Sequence, residues 1–213
     1  MSSFPAWRIS PGLSDFPQVL AEMEARATAI YEGRADELFW LLQHPPLYTA
    51  GTSARLDELL DPERLPVFQT GRGGRYTYHG PGQRIAYVML NLAERGRDLR
   101  RFVAALEKWV MLALNDFGVE AEIIPGKVGV WVETQAGMAK IAAIGVRVRR
   151  WVSYHGISVN IDPDLENYQG IQPCGLLEPV TSLRQLGHST KMRDFDQALR
   201  RHAESMLESL VSK

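Results

Sequence analysis

Apolar residues recur at helical spacing between positions 15 and 32, where Phe16, Val19, Leu20, Met23, Ala27 and Ile30 make one stripe, so this stretch is predicted as a helix with a core-facing side. "LFWLLQ" (38–43) is a short continuous apolar run that stops at His44 and the rigid pair Pro45-Pro46, as a buried strand entering a loop does. "RIAYVMLNL" (84–92) reads as another strand. The clearest helix starts at Asp98, an N-cap residue, and carries Leu99, Phe102, Val103, Leu106, Trp109, Val110, Ala113 and Phe117 along one side to Gly118. "KVGVWVE", "KIAAIGVRVRR" and "WVSYHGISVNI" then follow with only a few residues between them, which favours antiparallel neighbours over helical crossovers. A last helix is expected from about Asp194, with Phe195, Leu199, Met206 and Leu210 on one side. This order of elements predicts an α+β (α/β) fold, a mixed and largely antiparallel sheet covered by helices.

With 213 residues, 45% of them hydrophobic and 23% charged, the chain is expected to form a single globular domain over residues 1–213. The net charge of -1 and pI near 6.5 supply no field for gathering nucleic-acid phosphates, so nucleic acid is not an expected partner. No apolar run approaches the roughly 20 residues that cross a bilayer, so no membrane association is expected. One cysteine forms no internal disulfide, and "MSSFPAWRISPGL" lacks the pattern of a secretory signal; a cytoplasmic location is expected.

Candidate chemistry begins in "TGRGGRYTYHGPGQ" (70–83), where five glycines and a proline break the apolar pattern. Such a stretch lets backbone approach a ligand, although plain turns with exposed arginines would leave the same trace. Tyr76 stands where a dinucleotide fingerprint needs its third glycine, and no GxxxxGK[ST] occurs, so neither nucleotide signature is met. His44, His79, His155, His188 and His202 form no pair at metal-ligand spacing, and no metal is expected. His79 and His155 stand out because a glycine follows each.

Cys174 is either an inert buried thiol or a nucleophile; Pro173 and Gly175 beside it favour a loop that a substrate can reach. Reactivity requires a partner, since a thiol with a pKa near 8.5 is only slightly ionised at neutral pH. Lys140 sits in the alanine-rich strand "GMAKIAAIG" with almost no polar company. It is either a strand-end lysine reaching water or a cation placed opposite a thiolate, where each group favours the other's charged form.

"HPPLYTAGT" (44–52), "GRGGRYTYHGPGQ" (71–83), "GKVGVWV" (126–132), "KIAAIGVRVRRWVSYHGISVN" (140–160), "IQPCGL" (171–176) and "VTSL" (180–183) occur in the order seen in the octanoyltransferase family, also called lipoyl(octanoyl) transferases or lipoate-protein ligase B. The chain resembles that family over nearly its whole length. The resemblance implies the fold of biotin and lipoate protein ligases. It also implies an acyltransferase, octanoyl-[acyl-carrier-protein]:protein N-octanoyltransferase, needing no cofactor. Octanoyl-acyl carrier protein would be the donor; lipoyl domains of 2-oxoacid dehydrogenases and the glycine-cleavage H protein would be acceptors in protein lipoylation, the first step of endogenous lipoate biosynthesis. By the same resemblance Cys174 matches the residue carrying an acyl-thioester intermediate and Lys140 its proton-relaying partner. Arg72, Gly73, Gly74, Arg75, Tyr76, Thr77, Tyr78 and His79 match the first substrate-binding stretch. Ala143, Ile144 and Gly145 match the second; Gly156, Ile157 and Ser158 match the third. Gln43, Arg75 and Ser158 depart from the residues frequent in the family, which bears on chain-length preference and carrier contacts. "RVRR" (147–150) and "ERGRDLRR" (94–101) are either ordinary solvated charges or docking cations for an acidic carrier.

Overall fold

The computed structural model describes residues 4–172 and 179–211; Cys174 lies outside the described residues. Within the described residues the chain runs β1 (Ala6–Leu13), α1 (Phe16–Tyr31), β2 (Leu38–Gln43), β3 (Leu47–Ala50), β4 (Val67–Gln69), β5 (Tyr76–His79), β6 (Gln83–Met89), α2 (Leu99–Asn115), β7 (Glu122–Ile124), β8 (Lys127–Thr134), β9 (Gly137–Arg149), β10 (Val152–Asn160) and α3 (Met192–Leu210). A seven-stranded sheet has the order β1-β2-β6-β10-β9-β8-β7, and a small sheet the order β4-β3-β5. Only β1–β2 and β3–β4 pair in parallel; the remaining ladders are antiparallel. The mixed, largely antiparallel sheet expected from the sequence is therefore present. No helix among the described residues is long and apolar enough to cross a membrane.

The helices begin where their caps dictate. Asp15 accepts the Gln18 N–H at the start of α1, and Asp98 accepts the Arg101 N–H at the start of α2. α2 stops at Asn115, three residues short of Gly118, because Gly118 adopts a left-handed backbone (φ 73°) that ends the turn. α3 starts at Met192, slightly ahead of Asp194.

β2 and β6 are interior strands buried on both faces, which is why they read as unbroken apolar runs rather than alternating ones. On one face Phe39, Leu41, Ala86 and Val88 pack under α2 and α3, with Trp109 at the centre donating its indole N–H to the Leu199 carbonyl at 2.7 Å. Truncating Trp109 to alanine would cost about 3–5 kcal/mol. On the other face Leu38, Trp40, Leu42, Ile85, Tyr87 and Met89 meet Val19, Met23, Ala27 and Ile30 of α1. The small sheet lies over a third cluster built on Tyr48, Tyr76, Tyr78, Tyr168 and Ile171.

Strand geometry departs from the regular pattern at two places, between β8 and β9 and within β10. Between Val130 and Trp131 the β8–β9 register shifts: Val130 pairs Ala142 and Trp131 pairs Lys140, so Ile141 is an extra residue, a β-bulge. In β10, His155 takes a left-handed backbone (φ 58°), and nearby the Ser153 hydroxyl bridges to β6, accepting the Leu90 N–H at 3.0 Å and donating to the Val88 carbonyl at 2.8 Å.

Candidate active site

A cavity of about 410 Å³ opens between the small sheet and strands β6, β9 and β10. Residues Arg72–Thr77, His79, Ala143–Gly145, Gly156–Ser158 and Lys140 all line it, so segments far apart in sequence converge on one space. Tyr78 stands apart from that wall: it alternates away into the tyrosine cluster under the small sheet, where its hydroxyl accepts from Asn167. Cys174, the proposed nucleophile of the sequence reading, lies outside the described residues.

The glycine-rich stretch is more than a pair of turns. Its second half, Tyr76–His79, is strand β5, paired to β3, and its first half is pinned at both sides. Thr52 N–H bonds the Arg72 carbonyl at 2.9 Å, Ser53 N–H bonds the Gly74 carbonyl at 3.0 Å, and Gly73 N–H reaches the Val146 carbonyl of β9 at 2.9 Å. Arg72 is correspondingly turned inward and only 7% exposed. Its Nε and Nη2 donate to Thr49 Oγ1 (3.1 and 2.7 Å), Nη2 also to the Thr49 carbonyl (2.7 Å), and Nη1 to the Gly73 carbonyl (2.9 Å). The exposed-arginine alternative therefore fails for Arg72. A Cβ at Gly145 would stand 2.9 Å from Arg72 Cδ, so glycine there admits the guanidinium stem.

The histidines beside the cavity are neutral. Gln83 Nε2 donates to Asn160 Oδ1 (2.9 Å) and Tyr168 (3.1 Å), which turns its Oε1 toward His79 Nδ1 at 2.8 Å and places the proton on that nitrogen. The His79 Nε2 lone pair then faces Thr49 Oγ1. Burial, with neighbouring His44 and Arg72, lowers His79 to about 3. Burial lowers His44, which donates to the Ser14 carbonyl and accepts from Tyr87, to about 4. Burial, then Arg72 and Arg147, lowers His155 to about 3. None of the three supplies positive charge at neutral pH.

Lys140 is 7% exposed, so the strand-end lysine reaching water is excluded. Its ammonium stands 4.5 Å from the centroid of the Trp131 ring. Its backbone N–H bonds the Pro179 carbonyl at 2.8 Å and its carbonyl accepts the Thr181 N–H at 3.0 Å, which ties β9 to the chain just after Cys174 in sequence. On the other side of that gap Gln172 N–H bonds the Glu58 carbonyl at 2.7 Å, and the Glu58 carboxylate pairs with Arg75. Thr49, Gln83 and Asn160 belong to the site although the sequence does not single them out. Each sits inside or at the end of a quoted motif, but the signal there is a neighbouring glycine or histidine rather than their own chemistry. Among the described residues no group of three or more His, Cys, Asp or Glu side chains could hold a metal ion.

The family model for the lipoyl protein ligase A/B catalytic domain matches residues 15–204. The octanoyltransferase of Rhizorhabdus wittichii is 61% identical over 205 residues, covering 96% of this chain and 92% of that protein. The octanoyltransferase of Maricaulis maris is 60% identical over 91% of this chain and 87% of its own length. Among solved structures, lipoate-protein ligase A bound with ATP superposes with a TM-score of 0.73 at 15% identity, over 96% of this chain and 85% of that one. A biotin protein ligase from Aquifex aeolicus in complex with biotin and ATP gives a TM-score of 0.55 at 13% identity, over 95% of this chain and 69% of that one. These two likenesses concern the fold, whereas the sequence matches reach further: this chain belongs to the lipoyl protein ligase A/B catalytic-domain family and, within it, to the octanoyltransferases.

Proposed function

We propose that the chain, acting as one catalytic domain over residues 1–213 in the cytoplasm, moves an octanoyl group from octanoyl-acyl carrier protein to a lysine of lipoyl domains. Acceptors are the lipoyl domains of 2-oxoacid dehydrogenases and the glycine-cleavage H protein. The observation that carries this reading is the placement of Lys140: buried on the wall of the cavity, with its main chain bonded to Pro179 and Thr181 just past Cys174 in sequence.

In this reading Lys140 and Cys174 rest as ammonium and thiolate. The thiolate attacks the donor thioester carbonyl; a new carbon–sulfur bond forms, the carrier sulfur leaves, and it takes a proton from Lys140. The acceptor amine then attacks the Cys174 thioester, a carbon–nitrogen bond forms, and the Cys174 sulfur leaves as thiolate. The amine proton passes to Lys140, which restores the starting pair. The acyl chain lies against Ala143, Ile144 and Ile157, each buried methylene adding about 0.8 kcal/mol to binding. Gly145, Gly156 and Ser158 leave it room. The Arg72–His79 stretch, Tyr78 as internal support and the rest as wall, closes the opposite side. No adenylation is required.

The test is intact-protein mass spectrometry after mixing the protein with octanoyl-acyl carrier protein, without ATP, beside a Cys174→Ala control. The expected result is a gain of one octanoyl group, absent in the control and discharged by an apo-lipoyl domain. Modification of the lipoyl domain only from free octanoate plus ATP would replace this reading with a ligase.

A further inference from the structure

Trp131 is one of the largest fully buried side chains in the protein, yet it belongs to none of the three apolar clusters. Its strand neighbours Val130 and Val132 point into the core under α2 and α3, so Trp131 points the other way, behind the cavity wall. What meets its ring there is charge: Lys140 Nζ at 4.5 Å from the centroid and Lys127 Nζ at 5.3 Å. The indole N–H is engaged by the Lys127 carbonyl at 3.2 Å, which fixes the ring plane.

Gly129 completes the arrangement. Its backbone (φ 130°) is one that L side chains rarely adopt, and a Cβ there would stand 2.8 Å from the Ala142 carbonyl and 3.2 and 3.3 Å from Lys140 Cε and Cδ. Its N–H is held by the buried Glu107 carboxylate of α2 at 3.0 Å. The bulge at Ile141 lies opposite and brings Lys140 into register with Trp131. The lysine stem therefore runs along Gly129 while its head sits over the indole.

We propose that Trp131 is a positioning residue for the transfer reaction, its ring face holding Lys140 as an ammonium directed to the cavity, with Gly129 and Glu107 fixing the stem. This inference rests on the role given to Lys140 in the proposed function. An indole face attracts a desolvated cation more strongly than any other side-chain ring, and an aliphatic replacement offers no such attraction. In the proposed function, losing it removes part of what keeps the Cys174 thiol ionised.

The experiment is the pH profile of iodoacetamide alkylation at Cys174, followed by intact mass in the full-length chain. Trp131→Leu is expected to displace the profile upward by about one pH unit, a roughly tenfold slower alkylation at neutral pH with the high-pH rate unchanged. Trp131→Phe, which keeps a ring face, is expected within about threefold of the parent. Because Trp131→Leu removes a large buried group, the second arm leaves the fold intact: biosynthetic replacement of tryptophan by fluorotryptophans of increasing fluorine number. Fluorine drains the ring face with little change of shape, so the profile should move upward in steps, and the same substitution in Trp131→Phe should leave it where it was. A Trp131→Leu or fluorotryptophan profile that coincides with the parent, while Lys140→Ala moves it, overturns the role of Trp131 alone. A Lys140→Ala profile that coincides with the parent overturns the lysine's role and the Trp131 inference with it.

Discussion

Acid should unfold this protein over an unusually steep range, and the cause is three neutral histidines. In the folded chain burial lowers His44 to about 4 and His79 and His155 to about 3, against roughly 6.5 for the unfolded residue. A folded value below the unfolded one means that, between the two, the unfolded chain binds a proton that the native chain does not. Stability from these groups is complete above about pH 6.5 and is lost as pH falls toward about 4. Each histidine contributes a slope of about 1.4 kcal/mol per pH unit, and the three together about 4. At pH 5 the loss is about 2 kcal/mol per histidine, and the combined loss is of the order of a typical domain's whole stability.

Glu37, Glu107 and Asp196 act in the opposite sense, because burial raises each carboxyl and the native state gains protons first. A comparison of variants removes that background. In His79→Asn the new side-chain amide can still donate to Gln83 Oε1, as His79 Nδ1 does at 2.8 Å, but it does not titrate. Urea unfolding followed by tryptophan fluorescence at several values between pH 5 and 6.5 gives free energy against pH. The variant's slope should be smaller by about 1.1 kcal/mol per pH unit averaged over that window, approaching about 1.4 at its acid end. Equal slopes for parent and variant would show that His79 is already protonated in the folded chain, and the neutral Arg72–Thr49–His79–Gln83 chain would have to be redrawn.

Gly156→Ala should destabilise the protein by at least about 3 kcal/mol in the same urea assay, because the added Cβ would stand 2.1 Å from the Ala86 carbonyl, a backbone atom of β6 that no rotamer change can move; a loss below about 1 kcal/mol would mean that the β6–β10 ladder yields easily. Arg149→Glu with Arg150→Glu should raise the KM for the acylated carrier severalfold at low salt with kcat unchanged, since both side chains are exposed on the turn between β9 and β10, and the effect should fade in about 0.5 M salt. An unchanged KM across the salt range would remove this turn from the docking surface.

The parts of the fold legible in the sequence are those whose periodicity is decided by burial. α1, α2 and α3 each bury one stripe, β2 and β6 are buried on both faces, and β8, β9 and β10 follow one another closely enough to pair in order. β1, β3, β4, β5 and β7 leave no such trace, for a physical reason. β1 is an edge strand, largely exposed and carrying Pro11 and Gly12, and its ladder partner is the parallel β2 some thirty residues on. β3, β4 and β5 are three or four residues long and gain their strand character from one another, not from any local alternation. Tyr76–His79 lies within a glycine-rich stretch whose composition argues for turns, and tertiary pairing with Leu47–Ala50 overrides it.

The same distinction explains the site. Motif spacing could bring Arg72, Gly145 and Gly156 to attention as separate strings, but the cavity forms where the loop ahead of β5 is tied to β9, by the Gly73 N–H to the Val146 carbonyl and by Arg147 Nη1 to the Gly71 carbonyl. Lys140 shows what local reading leaves undecided. An isolated lysine in an apolar strand is ordinarily one that reaches water, and that alternative is removed by a side chain nine positions earlier whose indole face takes the place of solvent. The choice between the two readings rests on where Trp131 points, and the bulge at Ile141 decides that Lys140 stands opposite it. Gly129, Gly145 and Gly156 each occupy a strand, where glycine weakens packing, and at each a Cβ would collide with Lys140 and a carbonyl, with Arg72, or with β6. Strand stability has been given up at those three positions so that a cation, a guanidinium and a bent strand can meet around one cavity.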